Sequence, residues 1–219
     1  MPADLLVPIT VWRVAGDDPP AGLASPTGLS PRLAAQLIRL YTDPADTVVD
    51  LTADPAIAGA AGAGGCRYLP VDHPASLPRL DHLAGTVRLV VLRWPPTTDP
   101  TPAYTDIDAG PAATAELTGL LAACRPLLAT DGYNIIALRP VPPHSYYAEH
   151  ARQLIPAAYH AGLGYLEHVL VVTTPITGHP HPAAPHVPAA LDAATGPQPL
   201  IDLLVFVLHG TGRAAQARR

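Results

Sequence analysis

The chain has 219 residues, a mass of 22.8 kDa and a formal net charge of −5, with 48% hydrophobic and 14% charged residues and a mean hydropathy of +0.21. That composition excludes a disordered or highly charged chain, and the length suits one large domain, because single cores grow to about 250 residues before chains divide. All 13 basic residues are arginines, and with a pI near 6.0 the molecule as a whole has no electrostatic footprint for nucleic acid, which demands a basic face, although a local arginine patch stays open.

Residues 1–29 read as an extended N-terminal arm rich in proline and glycine, in which Leu5–Val14 is either a short strand or part of the arm, and residues 30–219 read as one domain. The opening Met1-Pro2-Ala3-Asp4 carries no basic region before an apolar stretch, and no apolar run reaches the roughly 18 residues that span a bilayer, so a cytoplasmic protein is expected. Cys66 and Cys124 are too few and too far apart for a disulfide framework or a thiolate metal site.

Ser30 before Pro31 is a helix start, and Leu33, Leu37, Ile38 and Tyr41 recur at helical spacing, which predicts a helix over 31–42. Thr47-Val48-Val49-Asp50-Leu51 reads as a short buried strand. An Ala/Gly-rich helix follows over 54–65, and Arg67–Asp72 is a second strand. Val87–Leu92 is the next strand, broken by Trp94-Pro95-Pro96. A helix over 111–128, a strand at Tyr133–Leu138, a helix over 144–161, a strand at 165–174 and a last strand at 200–208 complete the alternation. Strands alternating with helices predict a mostly parallel sheet covered on both faces. The last two strands are joined by a Pro/His-rich loop without a helix, which predicts an antiparallel hairpin at the sheet edge. His179, His181 and His186 in that loop have no Cys or acidic neighbour, so a solvated loop is favoured over a metal site.

In a doubly wound sheet, ligands bind beyond the carboxyl ends of the strands near the topological switch. Two turns matter there: Asp50-Leu51-Thr52-Ala53-Asp54-Pro55 and Arg93-Trp94-Pro95-Pro96-Thr97. Their order and context resemble the S-adenosylmethionine-dependent DNA amino-methyltransferases, which methylate N6 of adenine or N4 of cytosine. Ser30–Asp50 resembles the family's leading helix, turn and first strand, and Gly65–Asp72 resembles the stretch whose terminal acid binds the cofactor's ribose. Leu89–Thr97 stands where the family has a strand ending in [DNS]-P-P-[YFW], and Leu120–Gly132, Ala161–His168 and Ile201–Phe206 resemble later elements. The resemblance runs from 30 to 208. It implies a Rossmann-like methyltransferase fold, with a seven-stranded, mostly parallel sheet and an antiparallel last strand. It also implies S-adenosylmethionine as cofactor, with Ser30, Asp50, Thr52, Ala53, Asp54 and Asp72 as contacts, and Trp94, Pro95, Pro96 and Thr97 at the catalytic position.

The departures fall on the chemistry. The family's loop needs glycines so that backbone can approach the cofactor, and here Asp54, Pro55 and Ala56 stand in their place. Trp94 replaces the side chain that accepts a hydrogen bond from the target amine, and Thr97 replaces the aromatic that stacks on the flipped base. Plainer roles compete with these. Asp50 and Asp72 are ordinary turn residues, and the Trp94 indole fits packing on the end of the sheet. Three functions therefore stand: a diverged methyltransferase, a non-catalytic homologue acting as a partner or homodimer subunit, and a nucleotide- or metabolite-binding module. DNA binding by the isolated chain is expected to be weak, and no membrane partner is expected.

Overall fold

A computed structural model describes residues 8–16, 29–94, 111–138, 147–175 and 200–208. Seven strands form one sheet in the order β1-β6-β7-β5-β4-β2-β3. They are β1 (Ile9–Gly16), β2 (Thr47–Asp50), β3 (Arg67–Pro70), β4 (Val87–Trp94), β5 (Leu128–Leu138), β6 (Leu163–Pro175) and β7 (Leu200–Leu208). All neighbouring pairs are parallel except those of β7, which runs antiparallel between β5 and β6. This is the doubly wound, Rossmann-like arrangement expected from the sequence, mostly parallel with an antiparallel last strand.

Helices α1 (Pro31–Tyr41) and α2 (Pro55–Ala63) cover one face, where their Leu33, Leu37, Ile38, Ile57 and Ala61 pack with Val48, Leu89, Val91, Tyr133 and Ile135. Helices α3 (Pro111–Cys124) and α4 (Tyr147–His160) cover the other, where Leu117, Leu121 and Leu154 meet Val49, Val90, Leu92, Ile136 and Phe206. The period of two along β4 and β5 sends alternate side chains to opposite cores, so both faces of these strands are apolar. Helix α1 forms because its apolar residues fall on one stripe and because the Ser30 hydroxyl accepts from the Leu33 amide at 3.2 Å. The α2 sequence is nearly featureless, and Gly59 and Gly62 lower its intrinsic helicity by roughly 1 kcal/mol each. Its start therefore depends on the cap that Asp54 supplies.

Several boundaries differ from the sequence expectations. The apolar part of the N-terminal stretch is a strand: Trp12 and Val14 of β1 are buried against the α1 side, and β1 pairs in parallel with β6. The hairpin of β6 and β7 is accordingly not at the sheet edge, since β1 covers β6 and β5 covers β7. Strand β4 runs on to Trp94, because Arg93 and Trp94 stay in register with Ala137 and Leu138. Strand β5 begins at Leu128 rather than Tyr133. Thr130-Asp131-Gly132 looks like a turn, but it is accommodated where the β4–β5 register shifts, and a Cβ on Gly132 would lie 2.7 Å from the Val87 carbonyl oxygen. The preceding helix stops at Cys124 and tightens into a 3₁₀ turn over Arg125–Leu127. The 3₁₀ segment Pro74–Leu83, capped by His73, escapes periodicity altogether.

Buried polar groups tie the elements together. Glu167 on β6 accepts from the Tyr41 hydroxyl at 2.9 Å and the Thr10 hydroxyl at 3.3 Å, joining the end of α1 to β1 and β6. Arg88 on β4 pairs with Asp131 and lies 3.7 Å from Asp46, with its guanidinium over the Tyr133 ring. Asn134 is the exception. It is fully buried on the α3/α4 face between Val90 and Phe206, and neither amide atom has a hydrogen-bond partner among the described residues. A buried amide without partners costs about 1–3 kcal/mol in proteins. Asn134→Leu is therefore expected to stabilise the fold by about 1–2 kcal/mol in urea unfolding; a destabilised variant would show that the amide is satisfied in solution.

Candidate functional site

The topological switch lies between β2 and β4, adjacent parallel strands whose connections leave in opposite directions. Beyond their carboxyl ends the chain places Asp50, Thr52, Ala53 and Asp54 from the turn into α2, Arg93 from the end of β4, and Asp72 after β3. After the register shift that follows Val87, Leu89 and Val91 face α1 and α2, so Arg93 points to the side on which the Asp50–Asp54 turn lies, while Trp94 points to the other with Val90 and Leu92.

Asp50 is fully buried and its carboxylate is saturated by its own chain. One oxygen accepts from the Thr52 amide at 2.8 Å and the Thr52 hydroxyl at 2.6 Å. The other accepts from the Asp54 amide at 2.7 Å and the Tyr68 hydroxyl at 3.0 Å. These bonds hold the turn in a shape that puts Ala53 at a φ of 48°, a left-handed conformation costing a non-glycine residue roughly 1–2 kcal/mol. The tight turn then aims Asp54 inward.

The Asp54 carboxylate is also buried and also committed. Its Oδ1 caps α2 by accepting from the Ala56 amide at 2.8 Å, while its Oδ2 accepts from the Leu29 amide at 2.8 Å and from the Arg93 guanidinium. The Arg93 side chain is 12% exposed and that of Asp54 1%, so this ion pair is shielded from solvent. Tyr68 sits amid three carboxylates. Burial, the charge of Asp50, its hydrogen bond to Asp50, and the charges of Asp54 and Asp72 push its phenol well above the ordinary tyrosine range.

The remaining site candidates are placed as follows. Ser30 caps α1, with its hydroxyl on the Leu33 amide. Asp72 is exposed, and its carboxylate takes no hydrogen bond among the described residues. Trp94 is 8% exposed and packs in the α3/α4-side core. Pro95, Pro96 and Thr97 lie outside the described residues. Sequence reasoning missed Arg93 and Tyr68 as members of this network. The signal for Arg93 was present, since a cation on the buried stripe of Leu89 and Val91 requires an anion nearby. The described residues contain no group of three or more His, Cys, Asp or Glu side chains able to hold a metal, and no helix among them is long and apolar enough to cross a membrane.

No protein-family model matches the sequence, and comparison with curated proteins finds no similar chain. Among solved structures, the fold is similar to the antibiotic-resistance methyltransferase Kmr, at 16% identity and a TM-score of 0.40 over 81% of this chain and 93% of that one. It is similar to a geranyl diphosphate methyltransferase in complex with SAM, at 13% identity and a TM-score of 0.44 over 82% and 86%. It is also similar to a candidate DNA modification methylase from Thermus thermophilus, at 17% identity and a TM-score of 0.39 over 76% and 53%. Such distant likenesses bear on neither substrate nor activity.

The Tyr68 hydroxyl gives a test of the site's electrostatics. Its folded pKa is raised above the ordinary value of 10.0, so its contribution to stability is complete below that pH and is lost as the pH rises further, where the unfolded chain ionises first. Stability is expected to fall above pH 10 less steeply in Tyr68→Phe than in the wild type, read from urea unfolding at stepped pH; identical profiles would place the phenol in ordinary solvent.

Proposed function

We propose that the chain is a methyltransferase-like protein, related in fold to the S-adenosylmethionine-dependent DNA amino-methyltransferases, that no longer transfers methyl groups and acts as a non-catalytic partner or subunit. The observation that carries this reading is the orientation of Trp94. Where the resembled family presents a hydrogen-bond acceptor to the target amine, this chain has an indole, which only donates, and the indole is buried under α3 and α4.

The fit of S-adenosylmethionine supports the same reading. The methionine end of the cofactor needs open backbone and free acceptors at the turn after β2. Instead, four donors of the chain already satisfy Asp50, and three satisfy Asp54. Ala53 carries its Cβ through a conformation that glycine would adopt freely. The residues present do not fit that end of the cofactor. A second reading, a binding module for a nucleoside or small metabolite, is favoured by Asp72, whose exposed carboxylate remains able to accept.

Incubation with radiolabelled S-adenosylmethionine and duplex DNA is expected to leave both DNA and protein unlabelled. Label appearing in DNA at a rate proportional to protein concentration would contradict the proposal. DNA retardation by the free chain is expected to be poor even at low salt, because the net charge of −5 offers little attraction to phosphates, whereas tight retardation with a steep salt dependence would show the 13 arginines clustered on one face.

A further inference from the structure

The Asp54–Arg93 pair does more than obstruct. It places one carboxylate and one cation, both shielded, at the switch point between β2 and β4, and the same carboxylate holds the Leu29 amide that leads into α1. Three segments that converge beyond the sheet are thereby fastened by one side chain: the approach to α1, the start of α2 and the end of β4. In an open site these segments would be brought together by a ligand. Here a charged pair of the chain's own residues does so.

We propose that Asp54 and Arg93 form a built-in surrogate ligand, occupying the seat that a ligand's ammonium and carboxylate tail would take and holding the fold in a permanently occupied conformation. The inference rests on the methyltransferase-like reading of the site. The Asp50 network supplies the rigidity, since it fixes the Asp54 amide and leaves Asp54 little freedom to swing away. An external zwitterionic tail is excluded because it must break a solvent-shielded ion pair before it can bind, and a buried charge stripped of its partner is strongly unfavourable. Removing the internal anion should reverse the preference, because the carboxylate of an external tail can then take the place beside Arg93 that the Asp54 carboxylate occupies.

Calorimetric titration with S-adenosylhomocysteine, which carries the amino-acid tail, and with 5′-methylthioadenosine, which lacks it, separates the possibilities. The wild type is expected to bind the tailed probe no better than the tail-less one. Asp54→Gly is expected to bind the tailed probe at least tenfold more tightly than the wild type does, with no comparable gain for the tail-less probe. Asp54→Asn keeps a side-chain oxygen for the Ala56 amide that caps α2 while removing the charge and the oxygen that faces Leu29 and Arg93, and it is expected to show the same tail-dependent gain if the glycine variant does not fold. Micromolar binding of S-adenosylhomocysteine by the wild type would overturn the proposal, as would a folded variant with no gain or with an equal gain for both probes. Failure of the parent reading is distinct: it appears as methyl transfer by the wild type, whereas binding without transfer removes the surrogate alone.

Discussion

One buried carboxylate, that of Asp54, is where the architecture converges. It caps a helix too rich in glycine to start itself reliably, neutralises an arginine that the β4 alternation drives into the covered face, and satisfies an amide at the approach to α1. Each partner alone would be costly in a dry environment: an uncapped helix start by about 1 kcal/mol, and an unpaired buried guanidinium by several. Collected on one side chain, they constrain each other. The Asp50 network then fixes the backbone from which Asp54 projects, so a strained Ala53 persists because the surrounding hydrogen bonds over-determine it.

The rest of the fold supplies the platform. Two apolar cores, one under α1 and α2 and one under α3 and α4, clamp the sheet from both sides and leave its carboxyl ends as the place where polar groups gather. Polar contacts elsewhere among the described residues serve structural ends: Arg88 pairs with Asp131 and Asp46, Glu167 accepts from Tyr41 and Thr10, and the His168 Nε2 lies 2.6 Å from Asp202. At the switch point the Asp50 and Asp54 carboxylates are committed within the chain, while Asp72 stays exposed.

Much of this was legible in the sequence, and the reasons are specific. Ser30-Pro31 followed by a clean apolar stripe announces α1, and Val48-Val49 and Leu89–Leu92 announce strands buried on both faces. The crowding of the turn after β2 was visible in Asp54 and Pro55. Long-range pairing was not. Nothing local says that Ile9–Gly16 lies beside β6, more than 150 residues away in sequence. Thr130-Asp131-Gly132 has turn chemistry but serves a strand irregularity, and the 3₁₀ segment after β3 has no period to detect. The commitment of Asp54 to Arg93 joins a turn to the end of a strand 39 residues away, so local reading yields each charge but not the pair.

If the pair is the fastening described, its two members must be energetically coupled and not merely close. A double-mutant cycle built from Asp54→Ala and Arg93→Met, measured by urea unfolding, reads that coupling directly. The account predicts that each single variant is destabilised, that each change costs less once the other is made, with the lost α2 cap and Leu29 bond still charged to Asp54→Ala, and that the coupling free energy is at least about 2 kcal/mol. A coupling below about 0.5 kcal/mol, the range of solvent-screened surface pairs, would contradict it.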